Sequence, residues 1–133
     1  MKFINTIVTN MPYIVLKGNC DIEPIFNNLE KIFKKKDEEI YKTRYVYLNQ
    51  AKNTILIEAF IKEKNFFSEL FVIVNKRPDG LVVRLHPWNE VEKTNTVKAL
   101  LTEIAKKILE MNFEYSIGET NLSEYLVNER TIA

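Results

Sequence analysis

The sequence predicts a single α+β domain built on an antiparallel β-meander of four main strands, joined by one or two N-terminal strands. The expected order is β-α-β4-α, with the helices packed on one sheet face and a short helix at the C-terminus. Three observations carry this. Four extended apolar runs follow one another between residues 41 and 86, and their connections are too short for anything but antiparallel neighbours. A helical apolar stripe precedes them and a second one follows. The 133 residues contain no Pro/Gly/Ser linker, repeat or low-complexity tract, so residues 1–133 read as one domain.

Phe3–Val8 and Tyr13–Lys17 read as extended, separated by Asn10-Met11-Pro12. Asp21 stands where an N-cap belongs, with Pro24 in a first turn whose amides need no intrahelical partner. Ile22, Ile25, Phe26, Leu29, Ile32 and Phe33 then share one face of a helix expected to end on Lys34, Lys35 and Lys36, where cations complement the dipole. Strands are expected at Tyr41–Leu48, Thr54–Lys62, Phe66–Asn75 and Leu81–His86. Lys76-Arg77-Pro78-Asp79-Gly80 is a turn signal, since proline presets φ and glycine accepts a positive one. Thr94 caps a second helix whose buried face is Val97, Leu100, Leu101, Ile104, Ile108 and Met111. Phe113, Tyr115 and Ile117 alternate as a short strand. Asn121 and Glu124 have capping-box spacing before a terminal helix with Leu122, Tyr125 and Leu126 inside.

Composition is that of a folded globular chain, 46% hydrophobic and 28% charged, with a net charge of only +1. That balance argues against a strong global field for nucleic acid or anionic membrane. Cys20 is the lone cysteine and excludes an intramolecular disulfide, which fits a reducing compartment. No leader and no run near ~20 apolar residues is visible, so the expectation is a soluble, cytoplasmic protein.

In outline the element order resembles that of TATA-binding-protein-like domains and, more loosely, the helix-grip ligand-binding folds. The resemblance is one of architecture and implies no activity.

The meander's two faces differ. Ile55, Ile57, Ala59 and Ile61 share one side, the aliphatic face expected under the helices, with Tyr45 and Tyr47 across the hairpin. The opposite side carries Leu56, Glu58 and Phe60 beside Arg44, Val46 and Leu48. If the hairpin closes symmetrically about Ala51, Arg44 stands opposite Glu58. Val82, Arg84 and His86 are assigned to this mixed face, and Phe67, Glu69, Phe71 and Ile73 join it in one of two registers. Such a face is either covered by the terminal helix, an interface with a partner or a second copy, or a ligand or nucleic-acid surface.

Catalytic signals are weak. A Cys20–His86 dyad has no orienting third residue, and Glu58 and Glu69 as an acid/base pair compete with salt bridges to Arg44 and Arg84. One cysteine and one histidine cannot form a tetrahedral zinc site, no EF-hand loop is present, and glycines at 18, 80 and 118 form no phosphate-cradling motif. No metal, cofactor or catalytic residue is therefore assigned. The expectation is a non-enzymatic protein-interaction module, possibly self-associating, that uses Arg44, Glu58, Phe60, Glu69, Arg84, His86 and Trp88. A small-molecule pocket between the sheet and helix 94–112 is the first alternative. A nucleic-acid surface is the second, disfavoured because Tyr45 and Tyr47 carry core-face parity, although Tyr41, Tyr45 and Tyr47 are the ring type that stacks on bases.

Overall fold

A computed structural model describes residues 11–19, 21–87, 94–111 and 114–126. The expected strand Phe3–Val8, Cys20 and Trp88 lie outside the described residues. The elements are β1 (Tyr13–Lys17), α1 (Ile22–Asn28), β2 (Phe33–Lys36), β3 (Glu39–Leu48), β4 (Thr54–Glu63), β5 (Phe66–Arg77), β6 (Gly80–Leu85), α2 (Asn95–Met111) and β7 (Ser116–Thr120).

These elements correct the fold class read from the sequence. The protein is mostly one curled antiparallel sheet of seven strands, a half-barrel in the order β2-β3-β4-β5-β6-β1-β7, with few helices. It is not a four-stranded meander with helices layered on it. Two segments account for the difference. The stretch expected to finish the first helix is the edge strand β2, and β1 sits between β6 and the C-terminal strand β7.

The first helix ends at Asn28, and Asp21 makes no side-chain cap bond. Its apolar stripe runs on through Ile32 and Phe33 in sequence, but only Ile32 is buried, while Phe33 is 64% exposed. Strand pairing wins because two bonds reach across from β3. The Ile32 amide donates to Thr43 Oγ1 at 2.9 Å, and the Thr43 amide donates to the Ile32 carbonyl at 3.0 Å. Asp37, at φ 56°, then closes the two-residue turn into β3, a conformation Asp tolerates better than most residues. Lys34, Lys35 and Lys36 thus line an open sheet edge, where lysine discourages pairing with another chain.

The core lies on the concave side. Ile14 and Leu16 of β1, Ile55, Ile57 and Ile61 of β4, and Leu81, Val83 and Leu85 of β6 are fully buried against Val97, Leu100, Leu101, Ile104 and Ile108 of α2. Each such side chain contributes roughly 1.5–3 kcal/mol relative to an exposed one. On the concave face, helix α2 touches β3 and β4 toward one end of the strand order and β6 and β1 toward the other, so the sheet must curl around it. Thr94 Oγ1 accepts the Val97 amide at 3.3 Å and starts this helix as expected.

The C-terminal segment also closes the concave side. Leu122 and Leu126 are buried in the core, and the Tyr125 hydroxyl donates to Asn95 Oδ1 at 2.6 Å. Asn121 does not complete a capping box. It accepts the Tyr13 amide at 2.9 Å and donates to the Met11 carbonyl at 2.8 Å, stitching the chain end to the start of β1. Residues 122–126 therefore pack on the concave side and not on the outer sheet face.

Candidate functional site

The site is the convex outer face of β3, β4 and β5, and a β-bulge in β3 determines its chemistry. From Ile40 to Thr43, β3 pairs with Lys62 to Ala59 of β4; from Val46 to Leu48 it pairs with Ile57 to Ile55. Between these stretches Arg44 and Tyr45 together oppose the single residue Glu58. The bulge reverses side-chain parity along the strand. Val46 and Leu48, expected outside, pack on the core, while Tyr45 and Tyr47, expected inside, point outward and are 61% and 49% exposed. Tyr41, on the near side of the bulge, keeps its core-side place.

The cause is the turn. The hairpin does not close about Ala51: the Asn49 amide donates to the Thr54 carbonyl at 3.1 Å, and Asn49 Oδ1 accepts the amides of Asn53 and Thr54 at 2.9 and 3.0 Å. This places Leu48 opposite Ile55, one residue off the symmetric register. Aliphatic Ile55 and Ile57 need apolar partners in the core, and Val46 and Leu48 supply them. The bulge then restores the register in which Thr43 meets Ala59.

Arg44 is the hub of the outward face. Its Nη2 lies 3.3 Å from Glu58 Oε1 and 3.2 Å from Glu69 Oε2, and its guanidinium carbon is 5.9 Å from the Phe60 ring centroid. Neither carboxylate contact has hydrogen-bond angles, and Arg44 Nε and Nη2 have no hydrogen-bond partner among the described residues. The group is held by charge and ring contact, not by directed bonds. Phe60 stacks at a tilt on Phe67, 5.7 Å between centroids, with Lys42 Nζ 5.5 Å over its face. Lys31 Nζ lies 5.7 Å from the Tyr45 ring, and the Tyr47 hydroxyl makes a long 3.4 Å bond to Glu58.

Of the residues named from sequence, Arg44, Glu58, Phe60 and Glu69 come together here. Phe67, Phe71 and Ile73 share their face, because Phe60 pairs with Glu69, Glu58 with Phe71, and Leu56 with Ile73. Arg84 also faces outward, opposite Ile73, but its Nε donates to Asn75 at 3.2 Å, and no ion pair joins it to Glu58 or Glu69. His86 continues β6, its amide bonded to the Phe71 carbonyl at 2.9 Å. Glu58 and Glu69 engage one guanidinium between them, the ion-pair arrangement that competes with an acid/base pair. The sequence gives no pointer to Lys31 and Lys42, and it offers Tyr45 and Tyr47 as stacking rings but turns them toward the core; their spacing is visible in sequence, their direction is not.

Positive groups outnumber negative ones on this face. On β3, β4 and β5, Lys42, Arg44 and Lys62 point outward by register against Glu58 and Glu69, with Lys35 of β2 and Arg84 of β6 flanking them. The near-neutral chain thus concentrates cations beside exposed rings. A cleft of about 900 Å³ lies elsewhere, lined by Asp21, Pro24, Ile25, Asn28, Lys76 and Tyr115 among others. Arg44, Glu58 and Arg84 do not line it, and between sheet and α2 the side chains are fully buried. No described helix is long and apolar enough to cross a membrane.

The chain is 30% identical over 73 residues to a tRNA (guanine-N(7)-)-methyltransferase of Aquifex aeolicus, an alignment covering 54% of this chain and 24% of that protein. The chain thus spans about a quarter of the length of the curated relative it matches. No family model matches the chain, and no solved structure does.

Proposed function

We propose that this domain is a non-catalytic RNA-binding module that uses the outer face of β3, β4 and β5. The observation that carries the reading is the Arg44–Tyr45 bulge, which turns Tyr45 and Tyr47 outward beside Lys31, Lys42 and Arg44. Aromatic rings on a sheet give bases a stacking surface, and nearby cations meet phosphates. The similarity to part of a tRNA methyltransferase supports RNA as the nucleic acid. Because the alignment covers a quarter of that protein and this sequence has no glycine-rich cofactor loop, methyl transfer itself is not proposed.

Binding of unmodified tRNA to the purified chain, measured by fluorescence anisotropy at 50 and 200 mM salt, tests this. Affinity is expected to fall with salt, and neutralising Lys35, Lys42 or Lys62 to Gln should each lower the salt slope by about one where the lysine meets a phosphate. No binding at 50 mM salt overturns the proposal.

A second reading is protein association through the same face, as a homodimer. It is favoured by Phe67, 68% exposed, whose ring packs at a tilt on Phe60 with 5.7 Å between centroids. Sedimentation equilibrium tests it: a concentration-dependent dimer abolished by Phe67→Ser supports it, and a monomer at all concentrations removes the homodimer.

A further inference from the structure

We infer that the RNA element taken by this face is an unpaired strand and not a duplex, with bases laid on Tyr45 and Tyr47 and phosphates beside Lys31 and Lys42. The inference rests on the RNA-binding reading above and narrows it to one class of ligand.

Spacing is the first argument. Tyr45 and Tyr47 stand two residues apart on one strand with Val46 turned into the core, so their positions are separated by roughly 6.5–7 Å. Successive stacked bases in a duplex strand lie no more than about 3.4 Å apart. Two neighbouring bases that each lie on one of these rings must therefore be pulled apart, which a paired strand resists and an unpaired one allows.

Shape is the second. The sheet curls around α2, so the tyrosines project from a convex surface. A duplex is convex as well, and the two would meet only along a narrow line. A flexible strand follows the curve of β3.

Charge is the third. The whole chain carries only +1, and Glu69, two-thirds exposed, stands among the cations of this face. A broad phosphate front such as a duplex presents would set phosphates against that carboxylate as well as against the cations. A single strand running along β3 meets Lys31 at the Tyr45 ring and Lys42 at the Phe60 ring, and stacking on the rings adds to the phosphate contacts.

The test is anisotropy of the full chain with two labelled RNAs at one low salt concentration: an unpaired pyrimidine-rich 12-mer and a blunt 12-base-pair duplex. The 12-mer is expected to bind at least about tenfold tighter. Tyr45→Ala and Tyr47→Ala should each weaken it about tenfold, the loss of one stacked base, while Tyr45→Phe retains binding because the ring face remains. Both tyrosines are exposed, and far-UV circular dichroism melts verify that the alanine variants stay folded. Equal or tighter duplex binding, or no change in 12-mer affinity in both alanine variants, overturns this inference and leaves the RNA-binding reading intact. Binding of neither RNA overturns both.

Discussion

Thr43 and Ile32 exchange two hydrogen bonds, the Ile32 amide to Thr43 Oγ1 at 2.9 Å and the Thr43 amide to the Ile32 carbonyl at 3.0 Å. That exchange makes β2 a strand, and it anchors β3 one residue before the bulge that aims Arg44 and Tyr45. Thr43→Val keeps the shape and strand preference but leaves the buried Ile32 amide without its acceptor. We expect a loss of about 1–3 kcal/mol in urea unfolding, with faster amide exchange confined first to residues 32–43. Unchanged stability would show that the side-chain bond is dispensable.

The two carboxylates on Arg44 should differ in worth. Glu58 is mostly shielded, with 19% side-chain exposure, while Glu69 is 66% exposed and solvent screens its pair. Double-mutant cycles with Arg44→Met are expected to give a coupling of at most about 0.5 kcal/mol to Glu69→Gln and a larger one, near 1 kcal/mol, to Glu58→Gln. The reverse order would contradict this account of the hub.

Gly80 joins three strands, opposite Arg77 of β5 and Lys17 of β1. A Cβ there would fall on the backbone carbonyl of Leu16, so no side-chain rotation relieves it. Gly80→Ala should push β1 away from β6 and cost about 1–3 kcal/mol, read from thermal or urea unfolding. Gly118 is a useful contrast. A Cβ there meets the flexible stem of Lys17 and the Val15 side chain, and the substitution should cost less.

At the far end of the outer face, the Tyr13 hydroxyl donates to Glu119 Oε1 at 2.8 Å. That bond, aided by desolvation and the nearby negative charge, holds the Tyr13 pKa above its ordinary value of 10.0. The neutral phenol is the form favoured by folding. Its contribution is therefore fully present below pH about 10 and is lost as pH rises through the higher folded value. Burial also raises the Tyr125 pKa, so absorbance titration should show more than one late-ionising tyrosine, of which one moves back toward 10 in Glu119→Gln and is missing in Tyr13→Phe. Identical titration curves for the wild type and Glu119→Gln would count against the bond.

What the sequence determined was the set of local patterns. Aliphatic alternation in β4 and the Val97–Ile108 stripe of α2 mark the two sides of the core, because burial imposes periods of 2 and 3.6 wherever an element has one apolar face. Turn residues delimited β3 through β6, but Arg44 meets Glu58 only because the bulge restores the register that the actual hairpin turn shifts by one residue. Tertiary structure decided what local pattern leaves degenerate. Ile32-Phe33-Lys34-Lys35-Lys36 suits a helix end or an edge strand, and the bonds from Thr43, eleven residues away, select the strand. A single lone Asp37 gives no hairpin signal as strong as a glycine would. Strand order was equally hidden, since β1 and β7 find each other across a hundred residues only once the sheet has curled around α2. Most consequential for function, one inserted residue at Arg44–Tyr45 reverses the direction of every side chain beyond it. Period-2 reasoning cannot see a bulge in advance, and here the bulge is what turns Tyr45 and Tyr47 from expected core residues into the exposed rings of the candidate site.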